Sequence, residues 1–422
     1  MIDVIASIKH DNNHILNTIY LYFVGRGQAF YIYRLLAVAC GIGSLMAIWR
    51  LAVPAGKLAT LLTLFFTGFS YPLVLLFSEA RGYAPAILCS LLAYLQLRRC
   101  RERLSAFNIV IFMLVNILGL LSHATFAIVL LALFTATTLQ RGPSPLLARL
   151  KQLVLLYLIP LLALALLYFG FVRVMTIGGG DSLHTDYLYV VGHFAALLFG
   201  LPNSQPWTSI ALAGYLAVVI GASYQLYRQR DNQWLFYPCC LALFPLAMIV
   251  ATRPRFIYWR YFVLTAPFLY FLIARLISKQ LIIRKPLARL LIICLFIALM
   301  GGQFVRLERL VLYGRGGYMA ALAYIALNTK GAIVTIGSDD DIHNTRIVGY
   351  YKARLPAGKT ITYVMQNELK SQPPQWFITH TEATPQALQK CFDPKVTTRY
   401  RFQKEFLAAG ESGWPWMIYR NE

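Results

Sequence analysis

Four short tracts of this sequence carry side chains able to do chemistry. Glu79 and Arg81 stand in Ser78-Glu79-Ala80-Arg81-Gly82-Tyr83-Ala84, and His123 follows in Leu121-Ser122-His123-Ala124. Arg253, Arg255 and Arg260 lead into Tyr261 within Arg253-Pro254-Arg255-Phe256-Ile257-Tyr258-Trp259-Arg260-Tyr261. Asp11 and His14 lie in His10-Asp11-Asn12-Asn13-His14, with Asp3 upstream. Guanidinium forks match phosphate oxygens in bidentate fashion. A carboxylate can take the proton of an attacking hydroxyl, and one such as Glu79 also suits a hard divalent cation, Mg or Mn. Each group has a plainer role beside these: a Glu–Arg ion pair easing burial, a satisfied interfacial histidine, arginines anchoring a helix at headgroups.

The setting of these tracts decides between the readings. Of 422 residues, 58% are hydrophobic and 13% charged, more apolar surface than a water-exposed shell tolerates. Lys and Arg outnumber Asp and Glu by 39 to 17, but the bases sit in short clusters between long apolar runs. That is the pattern of membrane-protein loops and not of a nucleic-acid-binding face. The first 312 residues hold eight acids, Asp3, Asp11, Glu79, Glu102, Asp181, Asp186, Asp231 and Glu308, so acid–base chemistry there draws on a short list. The seven cysteines have no metal-ligand spacing, and six lie in or beside apolar runs, where Cys packs as a small hydrophobe.

Crossing a bilayer core takes about 20 apolar residues in a helix. Residues 31–50, 57–77, 80–97, 105–121, 124–140, 150–172, 207–227, 234–251, 261–279 and 286–305 meet that description, which predicts an all-α polytopic protein of about ten spans. Alternate loops gather sixteen bases: Arg50 and Lys57; Arg98, Arg99, Arg101 and Arg103; Arg141, Arg149 and Lys151; Arg228 and Arg230; Arg275, Lys279, Arg284, Lys285 and Arg289. The intervening loops hold far fewer, chiefly Arg81, Arg173, Arg253, Arg255 and Arg260. The basic side is therefore predicted to be cytoplasmic, with both termini and all four tracts outside.

The predicted organisation has three parts. Residues 1–30 form part of a first outer loop, with an interfacial amphipathic helix over Asn12–Gly25. Residues 31–312 form the membrane domain, and 313–422 a small α/β domain on the periplasmic or extracellular side of a bacterial inner membrane. In that last part, helices are expected at Ala320–Asn328 and Thr345–Arg354, and strands at Ala332–Ile336, Ile361–Val364, Gln375–Thr379 and Trp416–Tyr419. Gly337-Ser338-Asp339-Asp340-Asp341 reads as a strand-end turn. No hydrophobic segment precedes residues 1–30 to export them, so a further transmembrane helix is expected upstream; the reading frame there would reveal it.

Taken in order, Ser-Glu-Ala-Arg-Gly-Tyr-Ala at 78–84, Leu-Leu-Ser-His at 120–123 and Trp-Arg-Tyr-Phe-Val-Leu-Thr-Ala-Pro at 259–267 resemble the family 39 and related GT-C glycosyltransferases. These include protein mannosyltransferase-like enzymes and lipid A aminoarabinose transferases. The resemblance covers most of residues 10–310. It implies transfer of a sugar from a polyprenyl-phosphate donor to a lipid, glycan or protein acceptor in the outer leaflet, with membrane lipids as surroundings. It assigns Glu79, Arg81 and Tyr83 to a helix start contacting donor or metal. Arg260 and Tyr261 fall to a phosphate-contacting late helix, and His123 to a polar role. Members also place an acidic base early in the first outer loop. This sequence begins within that loop, so Asp11, with His14 beside it, and then Asp3 are the visible candidates, and the chain alone is expected to be inactive.

The implied mechanism is a single displacement at the anomeric carbon. The leaving phosphate would be stabilised by Arg81 and Arg260, with Arg253 or Arg255, while Asp11 or Asp3 activates the acceptor and Glu79 could instead hold a divalent cation. Two alternatives share the topology. A flippase or transporter of lipid-linked sugars would carry interrupted helices and internal repeats. An O-antigen ligase or polymerase would use a large late outer loop, whereas the largest internal outer loop expected here, 173–206, is modest and precedes the last four spans.

Overall fold

A computed structural model describes residues 14–140, 145–175, 186–252, 257–283, 286–352, 358–380, 388–389, 391–392 and 394–422. The chain divides into two compact units, Met1–Phe304 and Val305–Glu422.

The first unit is helical. Its elements are α1 (Ile15–Val24), α2 (Phe30–Ala52), α3 (Lys57–Gly68), α4 (Tyr71–Phe77), α5 (Tyr83–Glu102), α6 (Ala106–Ser122), α7 (Ala127–Thr138), α8 (Leu146–Gly170), α9 (Tyr187–Phe199), α10 (Trp207–Arg228), α11 (Phe236–Thr252), α12 (Ala266–Ile283) and the start of α13 (Pro286–Tyr313). Each of the ten predicted spans overlaps a helix, although residues 69–70, 80–82, 139–140 and 234–235, among others, are not helical. Five helical stretches are long and apolar enough to cross a membrane: Phe30–Ala55, Leu146–Val174, Trp207–Arg228, Trp259–Leu281 and Pro286–Leu327. The pair α3 and α4, bent by 61°, would make a sixth. The others fall short for physical reasons. α6 has 17 residues, about 26 Å of rise against a core of about 30 Å, and α5 ends in Arg98, Arg99, Arg101 and Glu102. Large apolar side chains on these helices face outward, among them Leu147, Leu166 and Phe169 on α8 and Leu291 and Leu295 on α13, as lipid contact requires.

Two features differ from the sequence reading. Residues 173–206 are not simply a loop: they contain α9, whose residues from His193 to Leu198 are buried. And the span at 57–77 is interrupted at residues 69–70, a break the sequence does not announce.

One polar network explains why both are tolerated. The N–H of Tyr71, orphaned at the start of α4, donates to Gln303 Oε1 at 2.7 Å. Gln303 Nε2 donates to the carbonyls of Leu197 at 2.7 Å and Leu198 at 3.0 Å, in the last turn of α9. The Tyr270 hydroxyl donates to Leu198 O at 3.0 Å and meets Ser70 Oγ at 2.9 Å. Backbone groups freed by a broken and a short helix are thus satisfied by side chains of α12 and α13, which an apolar surrounding demands.

The second unit has helices α14 (Tyr318–Leu327) and α15 (Asp341–Tyr351) and strands β1 (Ile333–Ser338), β2 (Thr360–Tyr363), β3 (Trp376–Thr379), β4 (Tyr400–Phe406) and β5 (Trp416–Asn421). The sheet order is β2-β1-β3-β5-β4, with β1 parallel to β2 and β3, and β5 antiparallel to β3 and β4. Period-two alternation fills both faces. Trp376, Ile378, Trp416 and Ile418 join the core under α14 and α15, while Phe377, Met417 and Tyr419 join a second core with Phe392 and Tyr400. The expected helices and strands are present within a few residues, and β4 is an addition.

The contact between α9 and α13 yields a test. A Cβ on Gly302 would lie 1.8 Å from Gly200 O, whereas one on Gly301 meets nothing within 4 Å. Gly302→Ala should lower the stability of the detergent-solubilised chain by about 2 kcal/mol, an overpacking cost. Gly301→Ala should be neutral or raise it by about 0.5–1 kcal/mol. Unfolding midpoints that coincide for the two variants would contradict this packing.

Candidate functional site

The site forms where three helix ends meet. In the turn between α4 and α5, the Arg81 N–H donates to Glu79 O at 2.8 Å, turning the chain into α5 at Gly82. A Cβ at position 82 would lie 1.9 Å from Ser122 O and 2.7 Å from His14 Cβ, so only glycine lets α5 start against the end of α6 and the start of α1. Asn17 on α1 is buried and donates from Nδ2 to Ala80 O at 2.9 Å, fixing the same junction. His123 ends α6 and caps the 3-10 turn Ala124–Phe126. Its Nδ1 accepts from the Thr125 N–H at 3.2 Å and lies 2.7 Å from Thr125 Oγ1. With Nδ1 occupied as an acceptor, its proton resides on Nε2.

Four rings pack around that turn. His14 stacks on His123 with centroids 4.8 Å apart. Tyr83 lies 4.3 Å from His123 and 5.5 Å, edge-on, from His14. Tyr261 reaches His123 at 6.2 Å from the 3-10 segment Trp259–Thr265 that leads into α12. Tyr258 packs edge-on to Tyr261 at 5.7 Å, and the Arg260 guanidinium lies over its ring at 4.5 Å, within cation–π range.

The charges converge too. Glu79 is buried, and its Oε2 lies 3.3 Å from Arg81 Nε. The same carboxylate acts on Arg260, and both guanidinium groups act on both imidazoles. Arg260 Nε is buried with no hydrogen-bond partner among the described residues. Burial first, then Arg81 and Arg260, push the His14 pKa down to about 3. Burial, His14 and the two arginines hold that of His123 well below the usual histidine value. Both imidazoles are therefore neutral at pH 7, and Arg81, Arg260 and Glu79 leave the described cluster with one net positive charge.

Of the residues expected from sequence, Glu79, Arg81, Tyr83, His14, His123, Arg260 and Tyr261 come together from four chain segments. Asp3, Asp11, Arg253 and Arg255 lie outside the described residues. Sequence reading missed Gly82, Asn17, Thr125 and Tyr258. Gly82 and Tyr258 stood inside the quoted tracts, and Asn17 lies in the first turn of α1, beside Thr18 and just after the His10–His14 tract. Among the described residues no three His, Cys, Asp or Glu side chains gather to hold a metal ion. Glu79 is the one acid of the described cluster and already faces Arg81. These residues do not by themselves fit a Mg or Mn site, which wants several oxygen ligands.

In the second unit, the strand-end aspartates are all engaged. Asp339 accepts from the His380 N–H at 3.0 Å and meets His380 Nδ1 at 2.5 Å. Asp340 caps α15 by accepting from the His343 N–H at 3.1 Å. Asp341 accepts from the Tyr363 hydroxyl at 2.9 Å and the Gln366 N–H at 2.8 Å. The tract is a turn in which each carboxylate has a structural partner.

No protein-family model matches this chain, and no curated protein is similar enough to match it.

The depressed histidines make a pH prediction. A histidine held neutral in the fold but free to protonate when unfolded contributes stability above pH about 6.5, and that contribution is lost as pH falls toward about 3. The midpoint of thermal unfolding should therefore fall more steeply between pH 7 and pH 4.5 in the parent chain than in the His14→Gln/His123→Gln variant. Parallel pH profiles would show that the imidazoles are not held neutral.

Proposed function

We propose that the chain is a membrane glycosyltransferase that moves a sugar from a polyprenyl-phosphate donor to a lipid, glycan or protein acceptor, at the face of a bacterial inner membrane away from the cytoplasm. The observation that carries the reading is the convergence of Arg81 and Arg260 on one buried imidazole pair beside a single carboxylate, Glu79. A buried cluster with an excess guanidinium favours an anion, and a phosphate on a long apolar chain would reach it from the lipid phase.

In this reading the substrate phosphate lies between Arg81 and Arg260. Negative charge grows on that phosphate as the bond to the anomeric carbon breaks, and fixed guanidinium groups stabilise it without reorganising. Neutral His123, with Nε2 as donor, and the Tyr83 and Tyr261 hydroxyls supply uncharged contacts to sugar or phosphate. Glu79 holds Arg81 in place. The base that takes the acceptor proton comes from the first outer loop, with Asp11 foremost and Asp3 next. No step is drawn through a metal ion. About ten spans, both termini outside and a periplasmic or extracellular C-terminal domain complete the proposed topology.

A second reading, a flippase of lipid-linked sugars, is favoured by the 61° interruption between α3 and α4, since transporters place broken helices at their binding sites. The two readings part on one product. Membranes from cells expressing the intact gene, supplied with a polyprenyl-phosphate sugar, should release free polyprenyl phosphate. Arg260→Gln should lower that rate by roughly 10²–10³-fold, the cost of one lost oxyanion contact. Translocation of intact donor with no release would favour the flippase, and a rate untouched by Arg260→Gln would remove this site from the chemistry.

A further inference from the structure

A second site lies at the other end of α5. From Tyr83 to Arg101 this helix rises roughly 27 Å, and its far end opens on a cavity of about 490 Å³, within the size range of ligand pockets. Five segments that the charge pattern assigned to one membrane side meet there: the end of α2, the end of α5, the end of α7, the loop 231–233 that leads into α11, and α12 at Phe271 and Arg275. Arg98, Arg101 and Arg275 line it, against Asp231 and Glu102.

The charges on this wall are unevenly matched. Arg275 is 3.8 Å from Asp231 and donates to Gln229 Oε1 at 2.7 Å. Arg101 has only a 3.3 Å donation from Nη2 to Ala136 O, and its Nε and Nη1 are buried without a hydrogen-bond partner among the described residues. Neither Arg98 nor Arg101 has a carboxylate within ion-pair distance among those residues. A buried guanidinium with three of its donors or more unused is costly unless an anion compensates it. Leu51 and Phe271 add apolar side chains to the lining, and the Tyr94 and Tyr237 hydroxyls, 2.8 Å apart, also border it.

We propose that this cavity binds a phosphate group, with Arg98 and Arg101 as its counter-charges and Leu51 and Phe271 receiving an attached apolar chain. The site is separate from the cluster around His14 and His123 and does not depend on the transferase reading. Arginine supplies the fork that a phosphate accepts, and Asp231 pairs with Arg275, while the other two guanidinium groups have no carboxylate within ion-pair distance among the described residues.

The test uses the purified full chain in nanodiscs of phosphatidylcholine. Binding of phosphatidic acid, and separately of inorganic phosphate, is measured for the parent chain, Arg101→Gln, Arg98→Gln and Arg98→Glu. Each Gln variant should bind phosphatidic acid about tenfold more weakly, the loss of one charge-assisted contact, and Arg98→Glu more weakly still. Arg98 is half-exposed at the helix end, so the last variant stays informative if Arg101→Gln fails to fold. Phosphatidic acid bound with no response to inorganic phosphate identifies a lipid headgroup as the ligand; binding of both identifies the phosphate alone as what is recognised. Affinities within threefold of the parent in all variants, or no binding of either probe to the parent chain, would overturn the assignment.

Discussion

One carboxylate facing two guanidinium groups sets the character of this molecule. Glu79 is buried, lies within ion-pair distance of Arg81 and acts on Arg260 as well. In a poorly solvated surrounding, charges of like sign repel strongly and each unpaired charge is costly. Burial first, and then the two neighbouring guanidinium groups, keep His14 and His123 in their uncharged forms. Among the described residues, the two guanidinium groups also outnumber the one carboxylate, which is the basis of the phosphate-binding proposal.

The scaffold exists to bring distant residues into that arrangement. Gly82 permits a backbone approach that no other side chain allows, and Asn17 ties α1 to the same turn. Elsewhere the apolar surrounding imposes its own rule, that every backbone group be paired inside the protein. Gln303 and Tyr270 together serve the start of α4 and the end of α9. Side chains of two late helices thus support both the interrupted span and the short buried helix, and the two features that depart from simple membrane threading share one polar network.

Much of this was legible in the sequence, because its signals are long-range averages. Apolar runs located all ten helical stretches, and loop charge sorted their ends: Arg98 and Arg101 do meet the loop at 231–233, while residues 79–83, 123 and 260–261 meet each other. What failed were features set by individual contacts. The segment at α9, Tyr-Leu-Tyr-Val-Val-Gly-His-Phe-Ala-Ala-Leu-Leu-Phe, is too short to span a bilayer, and so it reads as loop until Gln303 and Tyr270 are seen to satisfy its end. The strand β4 is rich in charge and is shifted in register between Phe402 and Lys404, which blurs the two-residue alternation. In the site, residue types were readable, but Gly82, Asn17 and Thr125 matter only through their partners, and a linear pattern carries no trace of those.

The account stands on Arg81 and Arg260 sharing one anion beside the histidine pair. A cryo-electron microscopy map of the chain in lipid nanodiscs with polyprenyl phosphate addresses this directly. It should place the lipid phosphate within hydrogen-bond reach of both guanidinium groups, with the His14 and His123 rings still stacked. Phosphate density elsewhere, with Arg81 and Arg260 facing no common ligand, would contradict it.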